Sequence, residues 1–404
     1  MASPLAGGEE DEQSSWDGLN TDMMEMILKH LPIADRISVS AVCKSWRLAT
    51  SDIILPALRA PWLLGSAMDS ASLSWGFYTS SNGGRSLGLE IPKEFRSQLC
   101  CGSSKGWLML LREPRQNSPE YYEAHLLNPV TGATVELPPF PPTTIKGVIS
   151  TSPFAADFML AALCFEVSNL DRFVIAYRPM QPRRKKIIID DAVDIVFHHG
   201  RLYVLTSSAD IWVCVFDPSW KVSFGYIPSL FQEEDGGHHG SCWGKLVGSN
   251  DGIFLVDCST TTEAGVERQD LKVFKVKEWG RRRRAVEVNS LGGRTFFIGP
   301  FSDGVAISSK MKPSSKLDII KPDHIYYLSR TDYSLRAHSM QKRSTFRVAG
   351  FKVEGHILEW FIPELEDRSS LMVVTPIHSR YLLLTISILM LAVIVRYMLG
   401  WLGI

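Results

Sequence analysis

Between Leu19 and Leu31, apolar residues return every four positions, at Leu19, Met23, Ile27 and Leu31, with Met24 and Leu28 beside them. That period predicts one amphipathic helix with a broad apolar face. Asn20 or Thr21 can cap its start, Asp22 and Glu25 suit the positive end of its dipole, and Pro32 stops it. Asp35 is placed to cap a short second helix, and Val42, Cys43 and Trp46 continue the apolar stripe. After about residue 60 the texture changes. Short apolar runs alternate with Gly, Asp, Asn and Ser, as in 106–111, 200–205, 211–216 and 252–256, and they are filled with aromatic and β-branched residues. These are strand-length segments bounded by turn formers. The succession 187–197, 200–206 and 211–217 reads as an antiparallel meander. About 300 residues of such meanders, at roughly 40–50 per four-stranded blade, would make about six or seven blades of a propeller. A different multi-sheet β architecture is the alternative.

The predicted class is therefore α+β and multidomain: a small N-terminal all-α module, then an all-β propeller-like domain. The boundaries expected are an acidic, disordered leader over 1–15, a helical module over 16–52, the β-domain over 60–375 and an apolar tail over 379–404. Composition narrows the function. Apolar residues make up 45% and charged residues 21%, the balance of a folded globular chain. Lys+Arg and Asp+Glu both number 43, so no global field draws the chain to nucleic acid. The seven cysteines show no regular spacing, which suggests a reducing compartment rather than a disulfide framework. The first residues lack the basic and apolar regions of a secretory signal.

The segment from Leu19 to Arg47 resembles an F-box. Ile27-Leu28, Leu31-Pro32, Asp35 and Val42-Cys43-Lys44-Ser45-Trp46-Arg47 all stand at that family's spacings. Asn20 replaces the usual first proline, and Arg36 a common leucine, with Ile37 available instead. A helical bundle this small cannot bury a sufficient core of its own, so it reserves apolar side chains for a partner. The resemblance implies that the partner is the Skp adaptor of a cullin–RING ubiquitin ligase, with Leu19, Ile27, Leu28, Leu31, Pro32, Val42, Cys43 and Trp46 as the residues that meet it. An ordinary helical hairpin packed on the β-domain is the competing reading.

The remainder is similar to plant F-box proteins with a KIB-type, kelch-like β-propeller. The likeness is carried by Pro61-Trp62-Leu63-Leu64, Ser104-Lys105-Gly106-Trp107-Leu108, Leu127-Asn128-Pro129-Val130-Thr131-Gly132 with Leu137-Pro138-Pro139, Ser290-Leu291-Gly292-Gly293-Arg294, and Lys321-Pro322-Asp323-His324-Ile325-Tyr326-Tyr327. It implies a substrate receptor of an SCF (Skp–cullin–F-box) ligase, with no ubiquitin chemistry of its own and no cofactor. The target protein is unnamed by any motif. The competing classes are a membrane-tethered F-box scaffold without a ubiquitination role, and a propeller enzyme, which would need paired carboxylates at diagnostic spacing.

Catalytic or metal chemistry finds little support. Cys100-Cys101 and Cys242 sit near predicted strand edges with nothing to activate them. His198-His199, as neighbours on a strand, should point to opposite faces, and no Cys or carboxylate stands at zinc-ligand spacing. Gly236-Gly237 and Gly292-Gly293 read as turns. The basic runs Arg183-Arg184-Lys185-Lys186 and Arg281-Arg282-Arg283-Arg284 read as solvated charge just before a strand, against the alternative of an import or acidic-partner patch. Trp107, Trp212, Trp243, Trp279 and Trp360 read as blade core.

The last 24 residues raise a membrane. Tyr381–Val395 carries no charge, and Arg396 precedes another apolar stretch. A helix of that length spans about 36 Å, enough for a hydrocarbon core of about 30 Å. The 13 Leu, Ile and Val residues from Leu382 to Ile404 contribute roughly −4 to −8 kcal/mol to insertion, against at most about 3 for Arg396. A C-terminal transmembrane helix follows, holding the protein at the cytosolic face of a membrane. Without insertion the expected place is cytoplasm or nucleus. The alternative is a pair of strands closing the last blade, although 15 uncharged residues are long for one strand.

Overall fold

In a computed structural model of the chain, two short helices precede a succession of antiparallel sheets. The structure describes residues 21–31, 33–40, 46 and 48, and then 60–363 apart from 70–71, 80–85, 114–120, 180, 229–239, 264–265, 280–281, 309–319, 330–333 and 349–355. The tail over 379–404 and the leader over 1–15 lie outside these residues. Among the described residues no helix is long and apolar enough to cross a membrane. The chain divides into two compact units, of which Leu58–Val374 holds the sheets.

In the helical unit, α1 (Thr21–His30) carries Asp22 in its first turn, and α2 (Ile33–Ser40) carries Asp35 in its first turn. Asp35 is thus inside the second helix, in its first turn, rather than capping it. The predicted apolar face of α1 splits. Met24 and Leu28 are buried, Ile27 and Leu31 are half-buried, and Met23 faces out.

Among the described residues the strands form five sheets, and the one of nine strands divides in two, making six groups. The first comprises β1 (Trp62–Asp69), β2 (Ser72–Thr79) and β3 (Ser86–Glu90). The second runs β4 (Leu99–Ser104), β5 (Trp107–Arg112), β6 (Tyr122–Leu127), β7 (Thr134–Phe140). The third runs β8 (Thr144–Ile149), β9 (Leu160–Phe165), β10 (Arg172–Arg178), β11 (Gln181–Ile188). The fourth runs β12 (Ala192–His198), β13 (Arg201–Thr206), β14 (Ile211–Phe216), β15 (Val222–Ile227). The fifth runs β16 (Gly240–Ser249), β17 (Gly252–Glu263), β18 (Val266–Trp279), β19 (Arg282–Glu287). The sixth runs β20 (Arg294–Ile298), β21 (Gly304–Ser308), β22 (His324–Leu328), β23 (Leu335–Ser339), β24 (Ser344–Arg347). A last strand, β25 (His356–Phe361), returns to pair antiparallel with β1 and completes the first group.

This is a propeller with six blades, the fifth and sixth joined by a short parallel pairing of β16 with β21. The strands β4, β8, β12 and β16 lie against one another in succession, and β25 lies against β4. Because the first blade takes its inner strand from the far end of the sequence, the ring is closed by hydrogen bonds rather than by packing alone. Apolar seams separate the blades. Met109, Leu126, Phe158 and Leu160 fill the one between the second and third, and Phe297, Tyr326 and Trp360 that between the sixth and first.

Family-like motifs turn out to be turn chemistry. Asn128 is fully buried, and its Oδ1 accepts the Val130 and Thr131 N–H groups at 2.9 and 3.1 Å, while Gly132 turns back with φ 72°. Lys105 and Gly106, with φ 48° and 75°, make the tight β4–β5 hairpin. Two motifs far apart in sequence meet: Asp323 Oδ1 accepts Ser290 Oγ at 2.8 Å and the Leu291 N–H at 2.6 Å, fixing the Gly292-Gly293 turn.

The first basic run behaves differently from its expectation. It lies within β11, not before a strand, and two of its residues, Arg184 and Lys185, bond to carbonyls of the neighbouring blades. Arg184 donates to the Pro139 carbonyl, Lys185 to the Trp220 carbonyl at 2.6 Å, and Lys186 to Glu166 Oε2 at 3.3 Å. In the second run, Arg282, Arg283 and Arg284 are part of β19, and Arg281 is outside the described residues. Trp107 and Trp360 are blade core and Trp212 flanks it, whereas the side chains of Trp243 and Trp279 are outside the description.

Candidate functional site

The helical hairpin closes around four side chains, Met24, Leu28, Val39 and Trp46, with Ile27 and Leu31 packed against them. Arg36 Nε donates to the Leu31 carbonyl at 2.8 Å across the helix junction, and partial burial lowers the pKa of its guanidinium. Of the residues expected to meet an adaptor, Leu28 and Trp46 are the module's own core, with 0% and 7% exposure. Ile27 and Leu31 are half-buried at its margin. Leu19, Pro32, Val42 and Cys43 lie outside the described residues. The large apolar side chains that reach solvent are others: Met23, Met26 and Leu48, each more than half exposed. The four-residue repeat did not mark Met26, which lies off its stripe on α1, nor Leu48, which lies beyond both helices. Methionine suits a surface that must mould to a partner.

At the axis of the propeller lies a feature that sequence reasoning did not find. The inner strands carry charges: Lys146 on β8, Asp194 on β12, Lys245 on β16 and Glu359 on β25 are buried, and Asp303 before β21 is half-buried. Lys146 Nζ donates to Asp194 Oδ1 at 2.8 Å, and Lys245 Nζ stands 3.3 Å from the same oxygen while also donating to the Pro300 carbonyl at 2.7 Å. Asp194 Oδ2 accepts the Leu246 N–H at 2.8 Å. Ser104 on β4 donates to Asp303, and Glu359 Oε2 accepts the Ser302 N–H at 2.8 Å. Burial pushes the Asp194 carboxyl up, but Lys146 and Lys245 outweigh it and hold the group below the usual carboxylate range. For Asp303 and Glu359 burial wins, and both carboxyls titrate above it. Gly299 is required here, since a Cβ on it would fall 1.3 Å from Glu359 Oε1. The charges of the cluster come from five blades and, apart from half-buried Asp303, are buried, so their pairing ties the inner strands together.

The open face offers a cavity of about 470 Å³ between the fourth and fifth blades, at the tips of the β12–β13 and β16–β17 hairpins. His198 and His199 stand together here, with ring centroids 4.0 Å apart. They do not point to opposite faces as expected of strand neighbours. His199 has left the strand and adopts φ 46° in a two-residue turn with Gly200 at φ 72°. Among the described residues no group of three or more His, Cys, Asp or Glu is placed to hold a metal. Burial also raises the thiols of Cys100 and Cys214 to about 12 and that of Cys164 to about 11, far from a nucleophilic thiolate. Cys242 is outside the described side chains.

Comparison with known proteins places these surfaces. Residues 77–368 match the KIB1-4 beta-propeller family, and residues 16–56 match the F-box domain. An F-box/kelch-repeat protein of Arabidopsis thaliana is 24% identical over 351 residues, covering 82% of this chain and 92% of its own length. An F-box protein of the same plant is 24% identical over 305 residues, covering 73% of this chain and 75% of its own. Among solved structures, the N-terminal domain of Nup159 aligns over 78% of this chain and 82% of its own at 9% identity, with a TM-score of 0.31.

Proposed function

Because the chain belongs to the KIB1-4 β-propeller family and carries an F-box ahead of the propeller, we propose that it is the substrate-recognition subunit of an SCF ubiquitin ligase. The F-box hairpin docks on the Skp adaptor, which links it to the cullin and RING subunits, and the propeller holds a protein target for ubiquitination. The chain acts as a non-catalytic receptor. The observation that carries this reading is the hairpin itself: among the described residues, a small core of Met24, Leu28, Val39 and Trp46, with Ile33 and Ile37 also buried, beside exposed Met23, Met26 and Leu48. So small an interior needs a partner surface to be stable, and Met23, Met26 and Leu48 are the side chains available to it, with Ile27 and Leu31 at the margin.

Co-purification with Skp and cullin tests the assignment. The full chain is expected to capture both, and Met23→Glu with Met26→Glu together to capture neither. Capture of neither by the unaltered chain overturns the reading. Turnover of propeller-bound proteins that continues unchanged in the double variant would leave an F-box scaffold in its place.

The same proposal includes a membrane. The apolar stretch 381–404 has the length and transfer free energy of a spanning helix and would hold the ligase at the cytosolic face. Flotation with liposomes is expected for the full chain and lost on removal of 376–404. Equal flotation of both proteins would remove the anchor from the assignment.

A further inference from the structure

The seam between the third and fourth blades ends in a corner where buried N–H donors find no oxygen acceptor. Trp220 sits in the turn between β14 and β15 with φ 64°, a left-handed conformation that a bulky residue rarely adopts. From that turn its ring enters the seam, buried, and stacks on Phe216 with centroids 4.9 Å apart. The indole Nε1 is buried there without a hydrogen-bond partner. Arg178, at the end of β10 on the neighbouring blade, lays its guanidinium over this ring, 4.9 Å from the centroid. Its Nε is likewise buried and unpartnered. Its one hydrogen bond among the described residues runs from Nη2 to the Met159 sulfur at 3.4 Å, a weak acceptor. Lys185 on β11 completes the corner, donating from Nζ to the Trp220 carbonyl at 2.6 Å. Among the described residues neither Arg178 nor Lys185 forms an ion pair. Asp217, the acid of the same turn, folds back on it, accepting Ser219 Oγ and the Lys221 N–H at 2.8 Å each.

We infer that this corner binds a carboxylate of the target protein, with Arg178 as the anchoring donor and Lys185 as the second. Buried donors are almost always paired, and an unpaired one costs stability. A guanidinium and an indole kept unpaired side by side therefore point to an acceptor that arrives from outside. A carboxylate fits the guanidinium fork in two parallel hydrogen bonds, and the Nε–Nη2 edge of Arg178 is the one covered only by the Met159 thioether. Methionine is flexible enough to give way. The indole beneath fixes the plane of the fork, so little freedom is lost on binding. An aspartate or glutamate side chain and a free chain end carry the same chemistry. The inference rests on the substrate-receptor reading and gives that receptor a chemical class of target.

The test selects binders for the full chain from a library of short random peptides. Fluorescence anisotropy then compares each binder with forms in which one carboxylate has become its amide. Amidation of one carboxylate is expected to weaken binding about tenfold or more, as a charge-assisted hydrogen bond implies. Loss on changing Asp to Asn or Glu to Gln assigns a side chain, and loss on amidating the C-terminus assigns a chain end. Arg178→Met keeps the stem over the indole without the donors, and should bring acid and amide to equal affinity. The propeller's unfolding midpoint should not fall in that variant, because the change removes a buried donor that has no partner. Lys185→Gln should narrow the preference by about threefold to tenfold, and serves if Arg178→Met does not fold. Binders indifferent to amidation, or a preference that survives both variants, overturn the inference. So does a lowered midpoint in Arg178→Met with the preference intact, which would make the corner a structural clamp. Loss of Skp capture by the unaltered chain with the carboxylate preference intact would sink the ligase reading instead.

Discussion

Among the described residues the core cluster of the helical hairpin gathers four buried apolar side chains, with Ile33 and Ile37 buried besides, whereas the seam between the second and third blades alone gathers fifteen. The hairpin keeps large apolar groups in water and has no described charge in its interior. The propeller also leaves apolar side chains exposed, Leu99, Phe154 and Ile188 among them, but it buries charges on its axis as well: Lys146, Asp194, Lys245 and Glu359. Size explains the contrast. A ring of six blades has enough apolar contact to tolerate desolvated ions, provided that each finds its partner, and those ions then specify which inner strands sit side by side. A two-helix module has no such surplus. Closure is an internal matter for one region, and completion an external one for the other.

The sharpest way to break this contrast is Asp194→Ala. It strands Lys146 and Lys245 without their shared carboxylate, and urea unfolding should show a loss of about 3–5 kcal/mol. Survival of the ring at full stability would deny the axial cluster its role. Leu28→Ala removes the most central side chain of the hairpin. The core loss is about 2–5 kcal/mol, read out as lost Skp capture in pull-down while the propeller's unfolding transition stays in place. Gly102→Ala sets a Cβ 2.2 Å from the Gly147 carbonyl oxygen, across the β4–β8 approach. That overpacking should cost about 1–3 kcal/mol in the propeller transition alone.

Acidity separates the regions further. Asp303 and Glu359 have raised folded pKa values, so the native ring binds more protons than the unfolded chain between the ordinary carboxylate range and those values. Stability therefore rises as pH falls through that window. Below it, Asp194, with its depressed folded pKa, contributes the opposite sign, and stability falls as it is protonated. Unfolding midpoints measured from neutral to acid pH should pass through a maximum, and Glu359→Gln should reduce the rise on its alkaline side. The smallest effect belongs to the surface. Arg112 and Glu123 form an exposed pair on neighbouring strands, and Arg112→Ala should cost about 0–1 kcal/mol.

Much of the architecture was legible because it is local. The four-residue period located α1, and the runs 106–111, 200–205, 211–216 and 252–256 correspond to β5, β13, β14 and the start of β17. Asn128-Pro129-x-Thr131-Gly132 is a turn wherever it stands, since its hydrogen bonds reach only two to five residues along the chain. Other readings failed where a neighbour from another strand took over. Lys185 looked solvated until the Trp220 carbonyl arrived from the next blade, and Met23 looked internal although the helix buries Met24 and Leu28 instead.

The sequence by itself determined the helical hairpin, the strand-and-turn rhythm of the blades and the membership that follows from their motifs. Only the tertiary structure decided that β25 closes the first blade, that Lys146, Asp194 and Lys245 face one another, and that His198, Arg201 and Asp251 border one cavity. The reason is that strand alternation marks which face a residue takes but not which strand lies opposite. A lysine between apolar neighbours reads as facing water, and it meets its carboxylate, 48 residues further along for Lys146, only when the ring has closed.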